Sequence, residues 1–237
     1  MLTLNLNKRK IPTIVKNKDF LLQQDAIYEN FRKAKEEVRK IGLIPNIKPL
    51  CGYLVALRHP YEVVKIVDEF SQRVARVVPS IVYNKDSIHT TISDYGVSPI
   101  YDPHKSILEG LVDSVYSAVK CFNAPSIVYN EWLYNTNSVI IAGNPSSSFF
   151  ELSKKIKKTA ERHNIELRFP SMAHITVSRF IERKNINELS DFLSLMEETE
   201  EIGVSNPNFI DVAYFSLNEK NGFEIDTYCK IELKTKN

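Results

Sequence analysis

The sequence predicts an α+β fold in which a strand-helix-strand unit is duplicated into two lobes, their antiparallel sheets flanking a central groove, with a helix placed in front. Three observations lead there. The pattern His-x-Thr-x-Ser occurs twice, within IHTTISDYG at 88–96 and AHITVSRF at 173–180, with its histidines 85 residues apart. In each copy the residues alternate with period two, so that His174, Thr176 and Ser178 share one strand face and Ile175 and Val177 the other. His89, Thr91 and Ser93 are likewise set against Ile88, Thr90 and Ile92. Finally, strand, helix, His-x-Thr strand, helix, strand runs twice in the same order, and the prolines after the second helices, Pro125 and Pro207, lie 82 residues apart.

Residues 1–18 carry Lys8, Arg9, Lys10, Lys16 and Lys18 with little apolar period and read as a solvated tail. From about 23 to 41, Ile27, Phe31, Ala34, Val38 and Ile41 recur at steps of three and four, which is one stripe of an amphipathic helix, and Gly42 stops it. That stripe needs a surface to bury it. Residues 1–50 are therefore expected to be a tail and a helix packed on a main domain of 51–237, divided into lobes of about 51–137 and 138–237. LIPNIKP at 43–49 is the connector.

In the first lobe GYLVALR is a strand, and a helix begins near Pro60 with Val63, Val67, Phe70, Val74 and Val77 on one stripe. After the first His-x-Thr strand, Asp102 and Pro103 have the form of an N-cap and first helical residue, with Leu108, Leu111, Val115 and Val119 facing the core. A strand follows at 125–132. The second lobe opens with SVIIAG at 138–143, and Ser148 with Glu151 forms a capping box ahead of a stripe of Phe149, Leu152, Ile156 and Ala160. The second His-x-Thr strand comes next, then a helix with Leu189, Phe192, Leu193 and Met196, and a strand over 208–217. The Asn-Gly of 218–222 turns it as a hairpin into a last strand at 223–233.

The chain has 237 residues, is 43% hydrophobic and carries 31 basic against 29 acidic side chains, so a sizeable core is expected but no field suited to a long DNA duplex. A short anionic ligand remains compatible with a net charge of +2. Three scattered cysteines, Cys51, Cys121 and Cys229, form neither a disulfide framework nor a Cys-x-x-Cys metal site. No apolar run approaches the ~20 residues of a membrane span, and the N-terminus lacks an export signal. A reducing cytoplasm is the expected location.

An imidazole works as base or acid near neutral pH, and two across a groove can divide those roles at a phosphodiester. Thr91 and Thr176, two residues on and on the same face, are placed to hydrogen-bond non-bridging phosphate oxygens. With this arrangement the sequence resembles the 2H phosphoesterase superfamily, whose members carry two His-x-Thr/Ser motifs on a duplicated bilobal α+β fold. HITVSR at 174–179 is very similar to the second motif of the 2',5' RNA ligase-like members, and IHTTI fills the place of the first. The resemblance spans about 51–233. It implies metal-independent cleavage of 2',3'-cyclic or 2',5'-linked phosphodiesters in short RNA, oligonucleotides or nucleotides, by a monomer with no cofactor, using His89, Thr91, His174 and Thr176.

Further residues line up around the motifs. Ser93 and Ser178 either extend the polar face or begin turns. Asp94 and Arg179 are equivalent and point away from the groove unless a bulge re-aims them, Arg179 being either a phosphate clamp or, as the sequence favours, half of an ion pair. Tyr95 and Phe180, also equivalent, can stack on a base or fill the core, and core packing is favoured. His59, His104 and His163 are expected at the surface, and Trp132 and Tyr134 in packing.

Three other readings are open. A duplicated βαβ protein can bind RNA or nucleotides without cleaving them, but no string of sheet aromatics suited to that is present. A metal site on His89 and His174 lacks evident third and fourth ligands. The string HIT suggests the histidine-triad hydrolases, yet Val177 and Ser178 stand where another alternate histidine is needed.

Overall fold

The structure, a computed structural model, describes residues 17–120, 122–218, 220 and 222–234. Lys8, Arg9, Lys10 and Lys16 of the basic tail, Cys121, and Asn221 of the hairpin turn lie outside the described residues. The elements in chain order are α1 (Asn17–Ile41), β1 (Leu50–Arg58), α2 (Tyr61–Val77), β2 (Ser80–Val82), β3 (Thr90–Ser98), α3 (Lys105–Val119), β4 (Ile127–Tyr134), β5 (Ser138–Pro145), α4 (Ser147–Ala160), β6 (His174–Phe180), α5 (Ser190–Glu197), β7 (Gly203–Ser205), β8 (Phe209–Asn218) and β9 (Gly222–Glu232). The short strands β2 and β7 were not expected from the sequence. Among the described residues no helix is long and apolar enough to cross a membrane.

The strands form two antiparallel sheets, one ordered β3-β1-β8-β9 and the other β2-β6-β5-β4-β7. The His-x-Thr strand of each copy thus lies beside the first strand of its own copy, and that strand pairs next with the strand that follows the second helix of the other copy, β8 beside β1 and β4 beside β5. The sheets do not divide the chain at 137/138. β4, from the first half, lies in the second sheet, and β8 and β9, from the second half, lie in the first. Helices are exchanged in the same way: α3 and α4 pack together against the first sheet, while α2 and α5 cover the second. Each copy buries its apolar stripes only by contributing to both lobes.

The helical stripes are buried as the spacing predicts: Val63, Val67, Phe70 and Val74 of α2, Leu108, Leu111, Val115 and Val119 of α3, and Phe149, Leu152, Ile156 and Ala160 of α4 all lie in the main core. Two caps differ. Helix α3 begins at Lys105, with His104 at the N-cap position, because the chain from 102 to 104 is tied elsewhere. The Asp102 N–H donates to Tyr214 OH at 3.1 Å, the His104 N–H donates to Tyr53 OH at 2.7 Å, and the Asp102 carboxylate meets His104 Nε2 at 3.1 Å. The N-cap of α4 is Ser146, and Ser148 meets it hydroxyl to hydroxyl at 2.8 Å, so the Ser148–Glu151 capping box does not form.

Helix α1 begins six residues before the expected start and turns a different edge inward. Phe20, Gln24, Tyr28, Phe31 and Val38 are buried, Ile27 is half-buried and Ile41 is exposed. Tyr28 and Phe31 pack with Leu133, Ile140 and Ala142 of β4 and β5, joined by Ile27 and Met172. Arg32 adds an ion pair to Glu131 of β4, with 2.6 Å between Nη2 and Oε2.

Candidate active site

Both histidines stand where the chain enters its sheet: His174 is the first residue of β6, and His89 immediately precedes β3. The residue before each, Ala173 or Ile88, is fully buried and anchors the turn into the strand. His89 Nδ1 meets the carbonyl of Ser87 at 2.7 Å, and His174 Nδ1 meets the carbonyl of Met172 at 3.4 Å. A carbonyl only accepts, so Nδ1 carries the proton in both rings and Nε2 presents its lone pair. The same contact to the residue two before, made in both copies, is the repeat expressed at atomic level. Thr91 Oγ1 lies 3.3 Å from His89 Nε2.

The pairing register shows which face these groups occupy. His174 pairs with Ala142 and Thr176 with Ile140, and paired residues share a sheet face. Ile140 and Ala142 are the residues covered by α1, so α1 borders His174 and Thr176 on the face away from α2 and α5. In the first sheet Thr91 pairs with Ala56, which clusters with Leu54, Phe215 and Phe223. His89 stacks on Phe223 at 5.6 Å, and Phe223 stacks in turn on Tyr83 at 4.9 Å. The two strands meet directly, because Thr90 Oγ1 donates to the His174 carbonyl at 3.0 Å.

Burial dominates the electrostatics. It holds His89 down from the ordinary 6.5 to about 4; the Ser87 carbonyl opposes the shift, and the charges of Arg58, His174 and Arg179 add to it. His174 is likewise lowered to about 4 by burial, against the Met172 carbonyl and with a further push from Arg179. Both imidazoles are therefore neutral at pH 7, and both lie within electrostatic reach of one guanidinium.

No protein-family model matches the sequence, and no curated protein is significantly similar to it. Solved structures match in fold. TT0787 of Thermus thermophilus aligns with a TM-score of 0.55 and 13% identity, over 78% of this chain and 100% of its own. LigT of E. coli, complexed with 3'-AMP, aligns with a TM-score of 0.52 and 12% identity, over 78% of this chain and 98% of its own. This chain shares their fold.

Within this LigT-like fold the remaining candidates fall differently from the sequence reading, for one reason. Val55 pairs with Ser93 and Ala56 with Thr91, leaving Ile92 unpaired; Val139 pairs with Ser178 and Ile140 with Thr176, leaving Val177 unpaired. A bulge therefore follows the threonine in both copies and shifts the alternation by one. Ser93 and Ser178 turn inward and are fully buried, Ser93 Oγ donating to the Ile92 carbonyl at 2.7 Å, so neither extends the polar face. Arg179 is re-aimed and bonds through Nε to Tyr83 OH at 3.0 Å. Among the described residues it has no carboxylate partner, so the expected ion pair is absent. Its equivalent, Asp94, is the one that forms an ion pair, to Arg168. Phe180 is fully buried against Phe192 and cannot stack on a base. Tyr95 is half-buried with its ring 5.8 Å from Tyr53. It lines a separate cavity of about 890 Å³ bounded by Phe20, Lys154, Lys158, Arg168 and Phe169, to which none of the four motif residues contributes.

Sequence reasoning missed a polar seam behind the histidines. His59 is buried, not at the surface, and meets Ser205 Oγ at 2.9 Å through Nδ1 and Thr90 Oγ1 at 3.2 Å through Nε2. Tyr129 OH reaches the same Thr90 oxygen at 2.5 Å. Since Thr90 gives its proton to the His174 carbonyl, Tyr129 and His59 Nε2 are the donors to Thr90, and Ser205 donates to His59 Nδ1. Burial lowers His59 to about 3, which keeps that ring neutral. Arg58 was also missed. Its Nε lies 3.4 Å from Asp211 Oδ2 while its Nη1 has no hydrogen-bond partner among the described residues, and burial lowers its pKa against the pull of Asp211. The one advance signal was its position closing the apolar run LVALR. Among the described residues no three His, Cys, Asp or Glu side chains come together as metal ligands.

Proposed function

We propose that the protein is a 2H phosphoesterase that cleaves 2',3'-cyclic or 2',5'-linked phosphodiesters of short RNA, oligonucleotides or nucleotides by two-histidine acid-base catalysis, without a metal. The observation that carries this reading is the mirrored pair of imidazoles, each protonated at Nδ1 by the same local contact and each presenting Nε2. The shared fold with LigT, whose structure holds 3'-AMP, supports a nucleotide as the ligand class.

In the reaction one neutral imidazole takes the proton of the attacking water or ribose hydroxyl at Nε2 as the new P–O bond forms. The other, protonated, gives its Nε2 proton to the departing ribose oxygen as the old P–O bond breaks. In the free protein both rings are neutral at pH 7, so the donor must gain its proton as substrate binds. The phosphate anion favours this, since a negative charge at a few ångströms raises an imidazole pKa. Thr91 and Thr176 hydroxyls and the Arg179 guanidinium meet the charge on the non-bridging oxygens.

The test is a panel of 2',5'-, 3',5'- and 2',3'-cyclic substrates assayed with and without chelator, with the position of the product phosphate read by mass and chromatography. Turnover of a cyclic or 2',5' substrate to one phosphate isomer, unchanged by chelation, is expected. No turnover of any member, or activity lost on chelation and restored by zinc or manganese, overturns the reading.

A further inference from the structure

The two histidines are held alike at the ring but not behind it. In the first copy, support comes from the chain just upstream. The N–H of Ile88, the residue before His89, donates to the Asn84 carbonyl at 2.9 Å. The Ser87 N–H donates to Asn84 Oδ1 at 3.2 Å, and Ser87 Oγ donates to the Asn84 carbonyl at 3.1 Å. This turn sets the Ser87 carbonyl that holds His89 Nδ1 at 2.7 Å.

In the second copy the corresponding residue is Ala173, and its N–H has no such turn to bond. It donates instead to Gln24 Oε1 of α1 at 2.8 Å. The Ala173 carbonyl accepts from Tyr28 OH of α1 at 2.5 Å and from the Gly143 N–H at 2.9 Å. That Gly143 N–H also points to Tyr28 OH at 3.1 Å, so the phenol sits between β5 and the start of β6. The approach is too close for any side chain at 143: a Cβ there would meet the Ala173 carbonyl oxygen at 2.6 Å. Both polar groups of the residue before His174 are thus held by an element outside the duplicated unit. Among the described residues the ring's one hydrogen bond is the long 3.4 Å contact to Met172, so its aim depends more on its backbone than that of His89 does.

We propose that Gln24 and Tyr28 are positioning residues for His174, making α1 a working part of the catalytic site rather than a stabilising appendage. The proposal rests on the two-histidine reading above. A displacement of about 1 Å at an acid or base costs up to about 100-fold in rate. Loss of these bonds frees the entry to β6 without touching substrate, so kcat falls while KM holds.

The experiment compares Tyr28→Phe, Gln24→Leu and their double variant with Phe31→Ala in the full chain. Phe31 lies on the same helix and in the same apolar cluster as Tyr28 but makes no bond to Ala173, so its truncation reports loss of apolar packing with both bonds to Ala173 left in place. Kinetics are read on the active linkage, and the ¹⁵N imidazole resonances of His89 and His174 are followed by NMR across pH. The expected result is a fall in kcat of about 10- to 100-fold in the double variant, with KM within about twofold. The His174 signals should change tautomer balance or midpoint while those of His89 stay in place, and Phe31→Ala should lower Tm but leave kcat and both histidine signals near wild type. Unchanged His174 signals in the double variant overturn the proposal, as does an equal loss of kcat in Phe31→Ala. If wild type turns over no phosphodiester, the proposed function fails, and the resonances still decide whether α1 positions His174.

Discussion

The Nδ1 contacts of His89 and His174 leave Nε2 unprotonated in both neutral rings, and burial, with the cations around them adding to it, sets the pH at which those rings become charged. A working pair needs one imidazole and one imidazolium. Since burial first, and Arg179 in addition, hold both near 4, that combination in the free protein is most populated well below neutral pH. The optimum of kcat/KM, which reports the free enzyme, is accordingly expected on the acid side, with the optimum of kcat higher because bound phosphate raises the donor. Replacing Arg179 by Gln removes a cation that lowers both rings. Both pKa values then rise, and the kcat/KM profile moves to higher pH as phosphate affinity weakens. A profile that stays in place or moves to lower pH shows that Arg179 does not act on the pair. At this scale the motif residues were legible because two copies at matching places in a repeat are hard to produce by chance. The bulges were not, since an extra residue such as Ile92 or Val177 looks like ordinary alternation until its partner strand is known. His59 was illegible because its partners Ser205 and Thr90 lie 146 and 31 residues away.

Among the elements, the helical stripes were read from spacing because burial follows the 3.6-residue period whatever the topology. Helix α1 shows the limit of that reading. Its apolar period indicated a buried face through Phe31 and Val38, both of which are buried, but the face also includes Gln24 and Tyr28, whose polar groups bind a backbone. Phe31 packs among Tyr28, Leu133, Ile140 and Ala142, so its truncation to Ala in the comparison above is expected to cost about 3 kcal/mol, read as a lower Tm. Strand exchange was hidden for a related reason. Pairing partners follow from which edges are left free once the sheets assemble, and β4 and β8 carry apolar patterns that fit either sheet.

For the whole molecule, the three buried histidines tie stability to pH. His59, His89 and His174 are all folded in the neutral form with pKa values of about 3, 4 and 4, against 6.5 when exposed. Above pH 6.5 neither state protonates them and the fold is unaffected. As pH falls below 6.5 the unfolded chain takes up protons that the folded protein refuses, so stability is lost progressively until the folded pKa is reached. Each unit of difference is worth about 1.4 kcal/mol. Tm is therefore expected to fall steeply between pH 6.5 and 4, and replacing His59 by Gln, which does not titrate, is expected to flatten that slope. An unchanged slope in that variant means that His59 is not held neutral.

The central claim is that two histidines share one phosphodiester reaction, and the most direct measurement is turnover by His89→Ala, His174→Ala and the double variant on the linkage that wild type cleaves. Each single replacement is expected to lower kcat by about 10²- to 10⁴-fold, with folding checked by Tm. The double variant should lose far less than the product of the two, because groups that act as a unit are not additive. Near-wild-type turnover by either single variant contradicts the two-histidine mechanism.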